Sequence, residues 1–378
     1  MTLEQTQDTA TTPPPRSAFA GASRAQQYVE PLEAPKPEPA VEDNGDAPAT
    51  DSTNELSESA PIPAPTIALP DLGVVGFTAT KPHATSGLRG LVGKVGIKVA
   101  PSKAETARLE MEEQQRRDEE VVRQTTWTRA VSILVANPKG GVGKTPSALA
   151  LGGILASIRG GSVCIVEVSD DPGALTFRAE GTPKRGLGEL VRDVDTIRSA
   201  GQLAGYTAPQ TSFASVIGTA GRRQRLSEDD VVDVARVIDD YYSIRVMDSG
   251  NQPSSSAFAG AVSTADALVV PVYNTGDAVI EALNLLLELR AQGGTTADLA
   301  NRATLLKLTD GRPESPAVVA RVEQMIDDGG FAQQFAIPFD PHIAERSQIT
   351  MSRLSPQTIH AFTAAVAGVV RSLQNTVR

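Results

Sequence analysis

Short apolar runs recur through the last two thirds of the chain, separated by segments with helical spacing. Strand-like runs occupy residues 131–137 and 162–168, and apolar residues recur at helical spacing from Lys144 to about Ile158 between them. The order strand, loop, helix, strand predicts a βαβ unit. Because the runs are continuous rather than alternating, we expect these strands to be buried on both faces.

The same alternation continues to the C-terminus. Further strand-like runs lie at 212–218, 243–248, 267–273 and 303–309, and further helical patterns lie at 228–240, 277–292, 317–327 and 355–376. The sequence therefore predicts an α/β fold, with a mostly parallel β-sheet flanked by helices on both faces.

Residues 1–85 have a different composition. They are rich in proline, alanine and acidic residues, with few aromatic residues and no sustained period. Such a segment buries too little apolar surface to offset the entropy lost on ordering, so we predict a disordered tail. Its proline repeats favour polyproline II and suggest a tether or a site for a protein partner.

Residues 86–129 link this tail to the α/β region. In 86–102, apolar residues alternate with Arg89, Lys94 and Lys98, which suits either a strand or turn that docks on the domain or a basic element for an acidic membrane surface. From Lys103 to about Thr126, Glu and Arg at i,i+4 spacing predict a solvated helix. The α/β domain is then expected to span 130–378.

The charge balance argues against a permanent nucleic-acid surface. Residues 1–130 carry 13 Lys and Arg against 19 Asp and Glu, and the remainder carries 22 against 26. Because phosphate neutralisation dominates such binding, any DNA contact must be local or conditional. The arginines that could form such a surface, otherwise expected to be solvated, are Arg222, Arg223, Arg225, Arg346, Arg353 and Arg371.

Cysteine usage and hydropathy indicate a cytoplasmic setting. Cys164 is the single cysteine and lies in a strand-like run, so one chain can form neither a disulfide nor a cysteine metal cluster. The N-terminus has no apolar signal region, and no stretch approaches the roughly 18 apolar residues of a membrane span.

A glycine-rich loop joins the first strand to the first helix. The residues expected around a bound nucleotide are Lys139, Gly140, Gly141, Val142, Gly143, Lys144, Thr145 and Pro146. Glycines let backbone N–H groups converge on phosphate oxygens at the N-terminus of the helix. Lys144 would reach the β and γ phosphates, and Thr145 would offer its hydroxyl to Mg²⁺. Pro146 supplies no N–H to a phosphate, although the first helical turn tolerates it.

This loop departs from the usual G-x-x-x-x-G-K-[ST] pattern. Pro138 stands where that pattern has glycine, and Lys139 precedes Lys144 by five residues, which gives K-G-G-x-G-K-T. The string resembles the deviant Walker A motif of the ParA/MinD family of P-loop ATPases. The resemblance covers about residues 131–378 and implies a SIMIBI-like P-loop fold that binds ATP and Mg²⁺.

The same resemblance implies a switch. In that family the first lysine crosses the interface of an ATP-bound homodimer, a role that falls here on Lys139, while Lys144 stays with its own nucleotide. A second cation at the γ-phosphate stabilises charge on the transferred group, so dimerisation and hydrolysis are coupled. We expect a slow ATPase that a partner stimulates.

The acids of the site follow two strands. The segment from Ser169 to Gly173 resembles the family's D-x-D-P segment, which makes Asp171 the candidate that positions the attacking water, with Asp170 next. Ser169 occupies the place of the first acid. The catalytic set is therefore Lys139, Lys144 and Asp171.

Two further segments complete the predicted site. The run 243–248 ends in Asp248, the expected Walker B ligand of Mg²⁺, and Gly250 is expected to sense the γ-phosphate. Pro338 lies in a loop that resembles the family's loop near adenine. Relatives often carry a base-recognising Asn where this chain has 303–312, and none occurs there. His342 is expected to be an ordinary surface residue.

Two functions follow. The first is an ATP-dependent dimerisation switch for plasmid or chromosome partitioning, or for positioning a protein assembly, with non-specific DNA or an adaptor as partner and possible nucleoid association. The C-terminal residues VVRSLQNTVR are poor in Lys and aromatics, so membrane contact through that end is not expected. The alternative is a weakly or non-catalytic nucleotide-binding scaffold beside a type VII secretion or conjugation system.

Overall fold

A computed structural model describes residues 102–313 and 315–377 of the chain. The tail predicted at 1–85 and almost all of the basic stretch at 86–102 lie outside the described residues. The predicted boundary of the α/β domain at residue 130 stays a prediction.

An eight-stranded sheet forms the centre of the described part. Its strands are β1 (Val131–Val135), β2 (Val163–Val168), β3 (Ala208–Pro209), β4 (Ser215–Ile217), β5 (Ile244–Ser249), β6 (Ala267–Tyr273), β7 (Thr304–Leu308) and β8 (Gln333–Ile337). Their order is β3-β4-β2-β5-β1-β6-β7-β8. All neighbours pair in parallel except β3 and β4, which form an antiparallel edge. The predicted mostly parallel sheet is confirmed.

Helices cover both faces of this sheet. They are α1 (Lys103–Gln124), α2 (Lys144–Arg159), α3 (Leu175–Arg178), α4 (Leu187–Asp193), α5 (Ala200–Ala204), α6 (Glu228–Asp239), α7 (Ser256–Ser263), α8 (Gly276–Ala291), α9 (Gly294–Asn301), α10 (Pro316–Asp328), α11 (Pro341–Ala344) and α12 (Pro356–Thr376). One apolar core joins one face of the sheet to α1, α2, α3 and α12. The other joins the opposite face to the helices from α4 to α10.

The long periodic segments were predicted within a few residues, and the short ones were not. The strand-like run 212–218 yields only the three residues of β4, and β8 was missed. Residues of β8 alternate between partly buried and exposed before Ile337, because the strand lies at the edge of the sheet. An edge strand with polar side chains lacks the continuous apolar run that identifies a central one.

Helix α1 is the predicted charged helix, but one of its faces is buried. Val122 is 0% exposed and packs in the core beneath α12. The carboxylate of Asp118, also buried, pairs with Arg371 of α12 at 2.6 Å. Arg159 donates to the carbonyls of Val122 and Thr125 at 2.7 and 2.8 Å. The predicted helix is thus present and largely solvated, and one of its faces is anchored to the α/β layers.

Across the described ranges, no helix combines the length and the apolar character that crossing a membrane requires.

Val122→Ala tests the anchoring of α1. The substitution removes two buried methyl groups and should lower the free energy of unfolding by about 2 kcal/mol. The matched control is Met111→Ala on the same helix, where the side chain is 56% exposed, and it should change stability by less than about 0.5 kcal/mol. Urea denaturation of both variants measures the difference. Equal losses would contradict the packing of α1 on the domain.

Candidate functional site

The glycine-rich loop lies where the order of the strands reverses. It follows β1, which lies between β5 and β6. After β1 the chain crosses to β2 on one side of this point, and after β5 it crosses to β6 on the other side. A crevice forms at the carboxyl ends of parallel strands at such a point. The loop sits in that crevice and leads directly into α2.

Positive φ angles shape the loop. Gly141 and Gly143 have φ values of 76° and 89°, a left-handed region that glycine alone adopts without strain. Gly143 is the N-cap of α2, and the described residues give that cap no side-chain hydrogen bond. The N–H groups of Lys144 and Thr145 have no acceptor within the helix, so the loop presents donors and the positive end of the helix dipole to the crevice.

Lys144 is held inside this crevice by oxygen atoms. Its ammonium donates to the carbonyls of Asn137 at 2.8 Å and Lys139 at 3.1 Å, and to the side-chain oxygen of Asn251. Burial lowers its pKa to about 8, although the carboxylate of Asp248 acts in the opposite direction. The cation therefore lies partly dehydrated among weak acceptors, which a phosphate oxygen can replace.

A cavity of about 620 Å³ opens in front of the loop. Its walls come from the segments that follow β1, β2, β5, β7 and β8. Nine of the predicted site residues line it: Gly141, Gly143, Lys144, Thr145, Pro146, Asp171, Asp248, Gly250 and Pro338. Of the other three, Gly140 is exposed, Lys139 is half-buried and Val142 is buried. The structure thus brings together segments that are far apart in the sequence.

Asp248 and Thr145 meet at the floor of the cavity. The hydroxyl of Thr145 donates to one carboxylate oxygen of Asp248 at 2.7 Å. The other oxygen, Oδ1, is buried and has no hydrogen-bond partner within the described ranges. Burial raises the pKa of Asp248 to about 7. One carboxylate and one hydroxyl beside a phosphate site are a donor set that suits Mg²⁺, which keeps several waters and takes its remaining ligands from phosphates.

The two candidate acids after β2 differ in exposure. The side chain of Asp171 is 66% exposed and pairs with Arg225 at 3.3 Å. Asp170 is partly buried, and its Oδ1 has no partner among the residues that the structure describes. Ser169 donates its hydroxyl to the carbonyl of Asp171 at 2.7 Å. Both acids line the cavity, so the choice of Asp171 over Asp170 stays a prediction.

The loops that carry Gly250 and Lys139 are fixed differently. The N–H of Gly250 donates to the carbonyl of Val168 at 3.4 Å, and a Cβ at Gly250 would stand 3.1 Å from that of Ser169. The ammonium of Lys139 instead pairs with Asp277 at the start of α8, at 2.8 Å. Lys139 donates a hydrogen bond that lowers the pKa of Asp277 to about 2. The side chain of Lys139 is thus held by a surface ion pair, and its backbone N–H donates to the side-chain oxygen of Asn137 at 2.9 Å.

Sequence reasoning missed a pair of charged residues at the cavity, one of which, Glu167, lines its wall. Glu167 lies on β2 opposite Asp248 of β5 and is buried. It pairs with Arg223 at 2.9 Å. Arg223 was expected to be a solvated surface charge, and that expectation was wrong because its side chain is 1% exposed. A charged residue inside the apolar run 162–168 was the signal that could have revealed Glu167.

His342 was also placed wrongly. It is buried, with 4% of its surface exposed, and it lies just after Pro338 and Asp340. Its Nε2 accepts from the backbone N–H of Thr350 at 3.0 Å, and its Nδ1 lies 3.2 Å from the carboxylate of Glu345. These contacts place the proton on Nδ1 and make His342 a structural link between α11 and the segment before α12.

The curated proteins that are similar in sequence include a secretion-associated protein. ESX-1 secretion-associated protein EspI of Mycobacterium tuberculosis is 26% identical over an alignment of 234 residues that covers 59% of this chain. The chain spans about a third of the length of that protein, 34%. No protein-family model matches the chain.

Solved structures with similar folds include ATPases. A ParA family ATPase from Chlorobium tepidum TLS is 12% identical and covers 65% of this chain and 97% of its own, with a TM-score of 0.49. The cell division protein MinD of Aquifex aeolicus is 18% identical and covers 65% and 97%, with a TM-score of 0.46.

The strand order and the position of the glycine-rich loop define a P-loop nucleoside triphosphatase fold. They confirm the predicted α/β fold. The predicted roles of individual site residues stay predictions.

Alanine substitutions at Gly141 and Gly143 test the loop geometry. At both positions a left-handed backbone costs a residue with a Cβ about 1 to 2 kcal/mol. A Cβ at Gly143 also meets Leu308 at 2.9 Å, whereas one at Gly141 meets nothing within 4 Å. Gly143→Ala should therefore lower the free energy of unfolding more than Gly141→Ala, as measured by urea denaturation without nucleotide. If both variants lost the same free energy of unfolding, the close contact between Leu308 and position 143 would be contradicted.

Proposed function

We propose that the chain binds and hydrolyses ATP with Mg²⁺ and works as an ATP-dependent dimerisation switch. One observation carries this proposal: the buried ammonium of Lys144 faces the same cavity at the N-terminus of α2 as an oxygen of Asp248 that has no partner among the described residues. A cation and a metal-binding acid on either side of helical N–H donors match the charge pattern of a metal triphosphate.

The chain's own residues divide the work. Lys144 exchanges its carbonyl contacts for phosphate oxygens, and the backbone from Gly140 to Thr145 surrounds the phosphates. Asp248 and Thr145 hold Mg²⁺, which neutralises charge on the phosphates when bound. Asp171 orients the attacking water, with Asp170 as the other candidate. Gly250 senses the γ-phosphate with its N–H, which exchanges its 3.4 Å contact with the carbonyl of Val168 for a phosphate oxygen.

Lys139 is proposed to act across the dimer. Its side chain is 43% exposed at the rim of the cavity and is held by Asp277, which is more exposed still. Exposed ion pairs are weak, so this contact can be exchanged at little cost for a phosphate of a second molecule. The partner surface or cargo is proposed to be non-specific DNA or an adaptor protein, in the cytoplasm or at the nucleoid, for partitioning or for positioning an assembly.

The second candidate function is a weakly catalytic or non-catalytic scaffold beside a secretion or conjugation system. The likeness to a secretion-associated protein favours it. Ser169 in place of an acid and Pro146 in place of an N–H donor also favour slow turnover. The proline-rich segment at 1–85 would recruit the partner.

Asp248→Asn tests the metal site. Titration calorimetry should show ATP affinity in Mg²⁺ falling by about 10-fold or more, because the amide cannot provide a charged ligand. With EDTA, parent and variant should bind ATP with similar affinity. Asp240→Asn, an exposed position at the end of α6, is the control and should match the parent. Equal magnesium dependence in the two Asn variants would remove Asp248 from the metal site.

Lys139→Ala tests the switch. Light scattering of the parent should show monomers without nucleotide and dimers with ATP and Mg²⁺. Loss of a charged contact in each protomer should weaken dimerisation by about 10- to 100-fold, while Lys184→Ala, an exposed control, should dimerise like the parent.

Steady-state hydrolysis by the same proteins separates the two candidates. Turnover that falls with dimerisation in Lys139→Ala supports the switch. A parent that binds ATP without turnover above background favours the scaffold. Identical masses in every condition would exclude the switch.

A further inference from the structure

Arg223 is a buried cation beneath the cavity. It lies in the segment between β4 and α6, and both its side chain and that of Glu167 are 1% exposed. Removing two charges from water is costly and is tolerated when each finds several well-placed partners. A buried arginine with many partners fixes the geometry of whatever it binds.

Its partners are mostly on one loop. The Nη1 group donates to the carbonyl of Asp170 at 2.6 Å, and Nη2 donates to those of Ser169 and Asp171 at 2.6 and 3.1 Å. Three consecutive carbonyls of the segment after β2 thus converge on one guanidinium. The planar fork of arginine suits this arrangement, whereas the single ammonium of lysine does not.

The other contacts of Arg223 tie this loop to the strand below. Nη2 also donates to Glu167 at 2.9 Å, and Nε donates to the hydroxyl of Thr219 at 2.8 Å. That hydroxyl donates in turn to the same Glu167 oxygen at 2.6 Å. Glu167 is the register neighbour of Asp248 on β5. One connected network therefore runs from the loop to the strand pair that carries the proposed metal ligand.

We infer that Arg223, anchored by Glu167, is a positioning residue that holds the segment 169–171 so that its acids face the nucleotide. Arg223 does not touch the nucleotide, because its side chain is buried below the loop. This inference rests on the proposed ATPase function and deepens it. Without the guanidinium, three carbonyls lose their donor, and Asp170 and Asp171 lose a fixed orientation toward the attacking water.

The test uses the full chain and four variants. Arg223→Lys keeps the charge and removes the fork. Glu167→Gln keeps the shape and removes the anchor's charge. Glu167→Gln with Arg223→Gln removes both charges, so no lone charge is left buried if a single variant fails to fold. Arg222→Lys is the matched control, because Arg222 directly precedes Arg223 in the sequence and is exposed.

Three quantities are measured: the Kd for ATP with Mg²⁺, kcat, and amide hydrogen exchange of the peptide that contains residues 169–175. For Arg223→Lys we expect Kd within about twofold of the parent, with kcat lower by about 10- to 100-fold. Exchange in the peptide should be roughly tenfold faster. Glu167→Gln and the double variant should show the same split, and Arg222→Lys should match the parent.

The outcomes separate this inference from the proposed function. Turnover of Arg223→Lys within about twofold of the parent overturns the positioning role. A parallel loss of binding, turnover and global stability also overturns it, because it shows a general structural role. If the parent binds ATP without turnover, the hydrolytic function fails, and exchange alone decides: faster exchange supports Arg223 as the organiser of the loop, and unchanged exchange rejects it.

Discussion

The rest of the structure depends on how the N-terminus of α2 is left open. A helix start needs acceptors for its first N–H groups, and here a left-handed glycine takes the place of a capping side chain. Those donors are held in position because β1 pairs on both sides and all five of its residues are buried. The sheet therefore fixes a set of donors directed at one cavity, and an anion can satisfy them.

The neighbouring strands β2 and β5 carry a second constraint, which is the balance of buried charge. Asp248 and Glu167 stand side by side in register, and the carboxylate of Glu167 contributes to the raised pKa of Asp248 after burial itself. Each acid has a cation from a different loop: Lys144 acts on Asp248, and Arg223 pairs with Glu167. Arg223 binds Oε1 of Glu167, while Oε2 of Glu167 and Oδ1 of Asp248 are both buried without a hydrogen-bond partner among the described residues.

Short sequence motifs predicted the parts of the site whose residues are close together in the chain. The loop from Lys139 to Thr145 and the strand that ends in Asp248 are contiguous, so their spacing alone indicated a phosphate site. The partner of Arg223 is 56 residues away in sequence, and that of Asp118 is 253 residues away. Such contacts leave no periodic pattern in the sequence, so both Arg223 and the charged helix α1 were predicted to be solvated. His342 was misplaced for the same reason, since its burial depends on how α11 packs.

Exposure divides the proposed site into two halves. Lys144, Thr145 and Asp248, to which we assign the chain's own nucleotide, are already in contact with neighbouring groups inside the cavity. Lys139 and Asp171, to which we assign the partner's phosphate and the attacking water, are both exposed and held by surface ion pairs. Under the proposed function, a preorganised binding half and an exposed hydrolytic half would favour nucleotide binding and make turnover depend on a second surface. The proposed dimerisation would supply such a surface, because it would cover the side of the site where Lys139 lies.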